Sequence, residues 1–157
     1  MSDDDSAPRL DDDSAALRVL VLCTGNSCRS QMAEAFLARA AGSRLTAVSA
    51  GTHPSVVHPL TIRALAERGI DWSEARSKSM LEFLDQPFDR VITVCDEAAE
   101  ACPVFPGSRT RIHAGFEDPA TVEGSEAVRL DAFRRIRDEI EAWADDFVRR
   151  ELPGPQD

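Results

Sequence analysis

The apolar residues of this chain fall into two rhythms. Stretches 17–22, 45–51, 88–95 and 110–113 are short and bounded by turn residues, and they read as strands. The first, Leu17-Arg18-Val19-Leu20-Val21-Leu22, is apolar on both faces, as a central parallel strand should be. Between the strands the spacing changes to three and four. Residues 31–40 read as a helix ending near Ala41, with Gly42 as its cap, and 60–68 as a short helix closed by Gly69 and Ile70 in a Schellman ending. Ser77 or Ser79 caps a further helix over 80–84, which Pro87 ends. Residues 96–101 are rich in strong helix formers and are followed by breaks at Pro103 and Pro106-Gly107. In the last helix, about 125–150, Leu130, Phe133, Ile136, Ile140, Trp143 and Phe147 form a core-facing stripe. Strands alternating with helices predict an α/β sandwich with a parallel sheet. The chain divides into an acidic tail over 1–16, read as disordered, a single catalytic domain over 17–150 and a C-terminal tail over 151–157.

Charge sharpens this division. The net charge is −10, and residues 1–16, with six Asp against Arg9, carry half of it. That balance argues against nucleic acid and anionic membrane as partners, yet leaves a body only mildly acidic, where an anionic substrate fits. No apolar run approaches the ~18 residues of a membrane span, and the N-terminus has no apolar signal core. The expectation is a cytoplasmic monomer whose thiols stay reduced. Its four cysteines then suggest chemistry rather than a disulfide framework. With no Cys-x-x-Cys pair and no Cys/His cluster of zinc spacing, no metal or cofactor is expected.

The chemistry gathers at Cys23-Thr24-Gly25-Asn26-Ser27-Cys28-Arg29-Ser30, between the first strand and the first helix. A loop that opens a helix collects free backbone N–H groups, and the helix dipole favours an anion there. Gly25 and Asn26 adopt positive φ readily, so successive amides can turn inward as a nest. Cys23 sits at its mouth, where amides and a nearby cation favour a thiolate. The planar fork of Arg29 suits two oxygens of a tetrahedral oxyanion. Ser30 has two uses open to it, a hydrogen bond to the thiolate or to a leaving group. Cys28 reads as packed structure, and His53, His58 and His113 as surface or loop residues. Ligands of parallel α/β folds bind beyond the carboxyl ends of strands. Cys95, ending the third strand, and Asp118, following the fourth, are therefore candidates to face the Cys23 loop. Cys95 as a small strand-end hydrophobe and Asp118-Pro119 as an ordinary turn remain open alternatives.

The Cys23–Ser30 loop with Gln31-Met32-Ala33-Glu34, the pair Cys95 and Cys102-Pro103, and Phe116-Glu117-Asp118-Pro119-Ala120 resemble the low-molecular-weight protein tyrosine phosphatase superfamily. Within it they resemble the thioredoxin-coupled arsenate reductases. The resemblance spans roughly residues 17–148. It implies a three-layer sandwich with a small four-stranded parallel sheet, arsenate as substrate and thioredoxin as reductant. It implies that Cys23 attacks arsenate held by the loop amides and Arg29, with Asp118 as general acid. Cys95 then attacks Cys23, releasing arsenite, and Cys102 takes over the disulfide for thioredoxin to reduce. The rival reading is a tyrosine phosphatase, in which aromatic residues after the Asp-Pro line a slot for the substrate ring. Here Ala120 follows, and the chain has no tyrosine. Some relatives hold a monovalent cation beside the loop with residues resembling Asn26, Glu34, Ser49 and an acid. Lys78 lies near the place of that acid, where a lysine ammonium could occupy the cation's place.

A helix over 96–101 has one further consequence. Its seven residues of rise would hold Cys95 and Cys102 roughly 10 Å apart, against at most ~7 Å in a disulfide. Oxidation is therefore expected to unravel that helix.

Overall fold

The computed structural model describes residues 16–102, 105 and 110–152. The expectations for the acidic tail over 1–15, for the breaks at Pro103 and Pro106-Gly107, and for the C-terminal tail beyond 152 lie outside those residues. Strands β1 (Leu17–Cys23), β2 (Leu45–Gly51), β3 (Arg90–Thr93) and β4 (Thr110–His113) form one sheet in the order β2-β1-β3-β4, with every pair parallel. Val19 to Leu22 are fully buried, which suits the central place of β1. This is the α/β architecture that the alternating pattern predicts.

Helix α1 (Arg29–Ala41) returns from β1 to β2 and packs on both, burying Met32, Ala33, Phe36 and Leu37. Helix α2 (Pro59–Ala66) has Pro59 in its first turn, and its N-cap His58 accepts from the Leu60 amide. It ends two residues before the expected 68. Gly69 then takes a φ of 80°, and Ile70 N donates to Leu65 O at 3.0 Å, the long return bond of a Schellman ending. Helix α3 (Asp96–Ala101) follows β3, and α4 (Glu126–Glu151) closes the fold against α1 and α2. The α4 stripe is as expected: Leu130, Phe133, Ile136, Ile140 and Phe147 are buried, and Trp143 lies half-buried against Phe147.

Two local expectations need correction. The helix expected over 80–84 is a 3₁₀ turn, Met80–Phe83, capped by Ser79; Gln86 and Pro87 follow too closely for an α-helix to propagate. The third strand pairs only over Arg90–Thr93, because its outer partner β4 supplies four residues and Cys95 already caps α3.

Candidate active site

At the carboxyl end of β1 the chain turns through 24–28 into α1. The turn is held from outside by its carbonyls. Thr52, His53, Ser55 and His58 donate backbone N–H groups to the carbonyls of Cys23, Thr24, Gly25 and Ser27. Ser77 Oγ and Thr61 Oγ1 add bonds to the carbonyls of Gly25 and Ser27. A peptide whose C=O points out turns its N–H in, so this outer belt makes the nest. Gly51 lets it close, since a β-carbon there would stand 2.6 Å from Thr24 O.

Asn26 is the keystone of the turn. It is fully buried, at φ 50°, in the left-handed region that asparagine tolerates. Its Nδ2 donates to Ser30 Oγ at 2.8 Å and Ser49 Oγ at 2.9 Å. Its Oδ1 accepts from Gln31 Nε2 and the Lys78 amide. Gln31 is itself fixed by Trp72 Nε1, and Ser49 Oγ donates to Glu34 Oε1 at 2.6 Å. Burial holds the Glu34 carboxyl above its ordinary range, with the Ser49 bond and Lys78 opposing. Lys78 Nζ lies 3.9 Å from Glu34 Oε1, and burial lowers its pKa against the pull of that carboxylate. An ammonium thus stands beside Glu34, near the place considered for a cation.

Inside the turn, Cys23 Sγ is 2.9 Å from Ser30 Oγ and receives the Asn26 amide at 3.2 Å. Both contacts suit a sulfur anion. Arg29 opens α1 and reaches across to the loop after β4. Its Nη1 donates to Phe116 O at 3.0 Å, and its Nη2 lies 3.5 Å from Asp118 Oδ2. Arg29 Nε is buried with no partner among the described residues. Phe116 rests edge-on against Trp143, so α4 anchors the loop that carries Asp118. Cys28 is buried beside Ser27 and Thr61, and burial pushes its thiol up to about 11, which keeps it protonated and structural.

Cys23, Arg29, Asp118, Thr24, Gly25, Ser27 and Cys28 line one cavity of about 320 Å³, which Ser55, Glu97 and Ala120 complete. Asn26 and Ser30 stand behind it. Cys95 is 7% exposed and lies 3.3 Å from the hydroxyl of Thr24, beside the cavity. Cys102 caps the far end of α3, half-buried; burial raises its thiol pKa, with Arg111 opposing. All four cysteines are free thiols. Sequence reasoning missed Trp72 and Glu97 and offered Ser77 only as a helix cap, whereas Ser79 caps the turn and Ser77 binds the Gly25 carbonyl; these contacts join distant segments without any local pattern.

A parallel sheet of this order, with a cysteine, an arginine and an aspartate around one anion-sized cavity, is the architecture of the cysteine-dependent phosphatase class. Residues 18–153 match the family described as low molecular weight phosphotyrosine protein phosphatase, and the chain belongs to that family. An arsenate reductase of Halalkalibacterium halodurans is 44% identical over 122 residues, 78% of this chain and 88% of that protein. A solved arsenate reductase in its phosphate-binding state superposes with a TM-score of 0.74 at 28% identity, covering 85% of this chain and 98% of that one. A thioredoxin-dependent arsenate reductase of Corynebacterium glutamicum gives a TM-score of 0.64 at 29% identity, over 87% of this chain and 62% of that one. No helix among the described residues is long and apolar enough to cross a membrane.

Proposed function

We propose that this protein reduces arsenate to arsenite by a cysteine relay regenerated by thioredoxin. The observation that carries this reading is the wall of the cavity. It holds the Cys23 sulfur and Arg29 but, among the described residues, no aromatic side chain, and Ala120 stands after Asp118-Pro119. That lining suits a small tetrahedral oxyanion better than an aryl phosphate. Beside it, Cys95 touches Thr24 across the cavity's edge.

In the proposed sequence the Cys23 thiolate displaces an oxygen of arsenate, which leaves as water after Asp118 protonates it, and an S–As bond forms. Arg29 and the inward amides carry the oxyanion charge. The Cys95 thiolate then attacks Cys23 Sγ. An S–S bond forms, the S–As bond breaks with its electron pair on arsenic, and As(V) leaves as As(III). Cys102 attacks Cys95, freeing Cys23 and leaving a Cys95–Cys102 disulfide for the thioredoxin dithiol. We place the reaction in the cytoplasm, where such thiols stay reduced, with the protein acting as a monomer.

The test is arsenite release with thioredoxin, glutathione or another low-molecular-weight thiol as reductant, in the native protein and in Cys23→Ser, Cys95→Ser and Cys102→Ser. Multiple turnover with thioredoxin should be lost in all three variants. Hydrolysis of a small aryl phosphate should be lost only in Cys23→Ser, because ester cleavage needs no resolving sulfur. Sustained thioredoxin-coupled turnover in the Cys95→Ser/Cys102→Ser protein would refute the relay.

A further inference from the structure

The hydroxyl of Thr24 stands between two groups of α3 and its cap. Its Oγ1 is 2.9 Å from Glu97 Oε1 and 3.3 Å from Cys95 Sγ. A hydroxyl has one hydrogen, and an ionised carboxylate only accepts. With Glu97 ionised, the Thr24 hydrogen goes to Glu97. The remaining contact must then be filled by the Cys95 S–H donating to Thr24 Oγ1. The Cys95 proton is thus aimed along two hydrogen bonds toward an exposed carboxylate, while its sulfur is nearly closed to water. Among the three acids of α3 this is specific to Glu97. Asp96 turns to His113, and Glu100 faces a neighbouring cavity without reaching Thr24.

We propose that Glu97 activates Cys95 by accepting its proton through Thr24. This rests on the relay above, in which Cys95 must become a thiolate before it can attack. The Cys95 proton passes to Thr24 Oγ1 as the Thr24 proton passes to Glu97 Oε1. The hydrogen left on Thr24 now faces the Cys95 thiolate and donates to it until the S–S bond to Cys23 forms. The electron pair of the S–As bond goes to arsenic as before. Glu97 lines two solvent-open cavities and returns the proton to water. Glu97 acts through Thr24, so it is a positioning and proton-accepting residue rather than a group on the substrate.

The test is the first turnover of fully reduced full-length protein. Saturating arsenate is added without thioredoxin, the reaction is quenched rapidly, and released arsenite is measured from about pH 6 to about pH 9, a range spanning ordinary thiol ionisation. Glu97→Gln keeps the shape but cannot take the proton. It should release arsenite about 10²-fold more slowly near neutral pH, the lower end of what a general base contributes. The deficit should shrink as pH rises and solvent alone ionises the thiol, and Glu97→Asp should recover most of the rate. An unchanged rate, a faster one, or a deficit that is constant with pH would overturn the proposal. Cys95→Ser, run alongside, separates the two readings. Arsenite release from it at the native rate would sink the relay itself. A silent Cys95→Ser with an unaffected Glu97→Gln would sink only the role of Glu97.

Discussion

Two regions of this molecule meet at Thr24 and are built on opposite principles. The Cys23 turn is over-determined. Its carbonyls are belted by four backbone donors, and the one residue at positive φ is held through its side chain by Ser30, Ser49, Gln31 and the Lys78 amide. Helix α3 is under-determined. It has six residues, and Ala98 is its one fully buried side chain among those described. Its first turn is tied down by two exposed carboxylates, Asp96 to His113 and Glu97 to Thr24. An anion site gains from donors that do not reorganise when charge develops. A disulfide that must travel gains from a segment that is cheap to unfold. Beyond α3, Phe105 is buried edge-on against Phe88.

The largest effect expected belongs to the rigid side. Asp118 sits on a loop fixed by Arg29 and by Phe116 on Trp143. Asp118→Asn should slow hydrolysis of a small aryl phosphate by roughly 10²–10⁴, the usual worth of a general acid. Steady-state rates within a factor of about two would reduce Asp118 to a capping residue for the Ala120 amide, a bond it also makes.

Next comes a stability contrast. Asn26→Ala strands three buried side chains and the part-buried Lys78 amide and places alanine at positive φ, which should cost about 3 kcal/mol in denaturant unfolding. Ala98→Gly in α3 should cost about 1 kcal/mol. Equal losses would mean that the turn is no more tightly specified than the helix.

That difference also marks what was legible in the sequence. The Cys23–Ser30 loop could be read because its chemistry is contiguous and lies between a strand and a helix. The α4 stripe could be read because burial follows helical period. Cys95 stood out because it ends a strand on the side of the loop, and Cys102 only through the family resemblance. The scaffold of the turn could not be read. The resemblance brought Ser49 to the loop, but Trp72 and the bonds of Ser77 Oγ and the Lys78 amide come from separate segments, and no periodicity marks such polar contacts. The same holds for Glu97, which in sequence is only another acid in a helix former's run. The strand is shorter than 88–95 because ladder pairing is limited by the partner β4, although apolar content persists through Val94 and Cys95.

A third prediction tests the movable side directly. Cys95 and Cys102 cap the two ends of α3, which as a helix keeps them roughly 10 Å apart, beyond the ~7 Å reach of a disulfide. Oxidised protein should lose amide-exchange protection over residues 96–102 while α4 keeps its own. Equal protection of that segment in both redox states would remove the reason for a loosely held helix.

The smallest effect is expected at the pin that holds the start of α3. His113, at the end of β4, has its Nδ1 2.8 Å from Thr93 Oγ1 and its Nε2 3.0 Å from Asp96 Oδ1. Gly115 leaves room for the ring, since a β-carbon there would lie 3.2 Å from Nε2. The contact joins the sheet to the first residue of α3, yet Asp96 is 93% exposed, so solvent and salt screen the pair. His113→Ala should therefore leave global stability nearly unchanged and speed amide exchange within α3 of the reduced protein by about two- to fivefold, the range of an exposed pair. Formation of the Cys95–Cys102 disulfide should quicken by a similar factor, because the helix must open before that bond can close. Asp96→Asn should weaken the pin in the same direction, and in that background His113→Ala should add little. If exchange in α3 stays the same while β4 loosens, His113 serves the sheet edge, and the start of the helix is held by the Thr24–Glu97 bond rather than by the histidine.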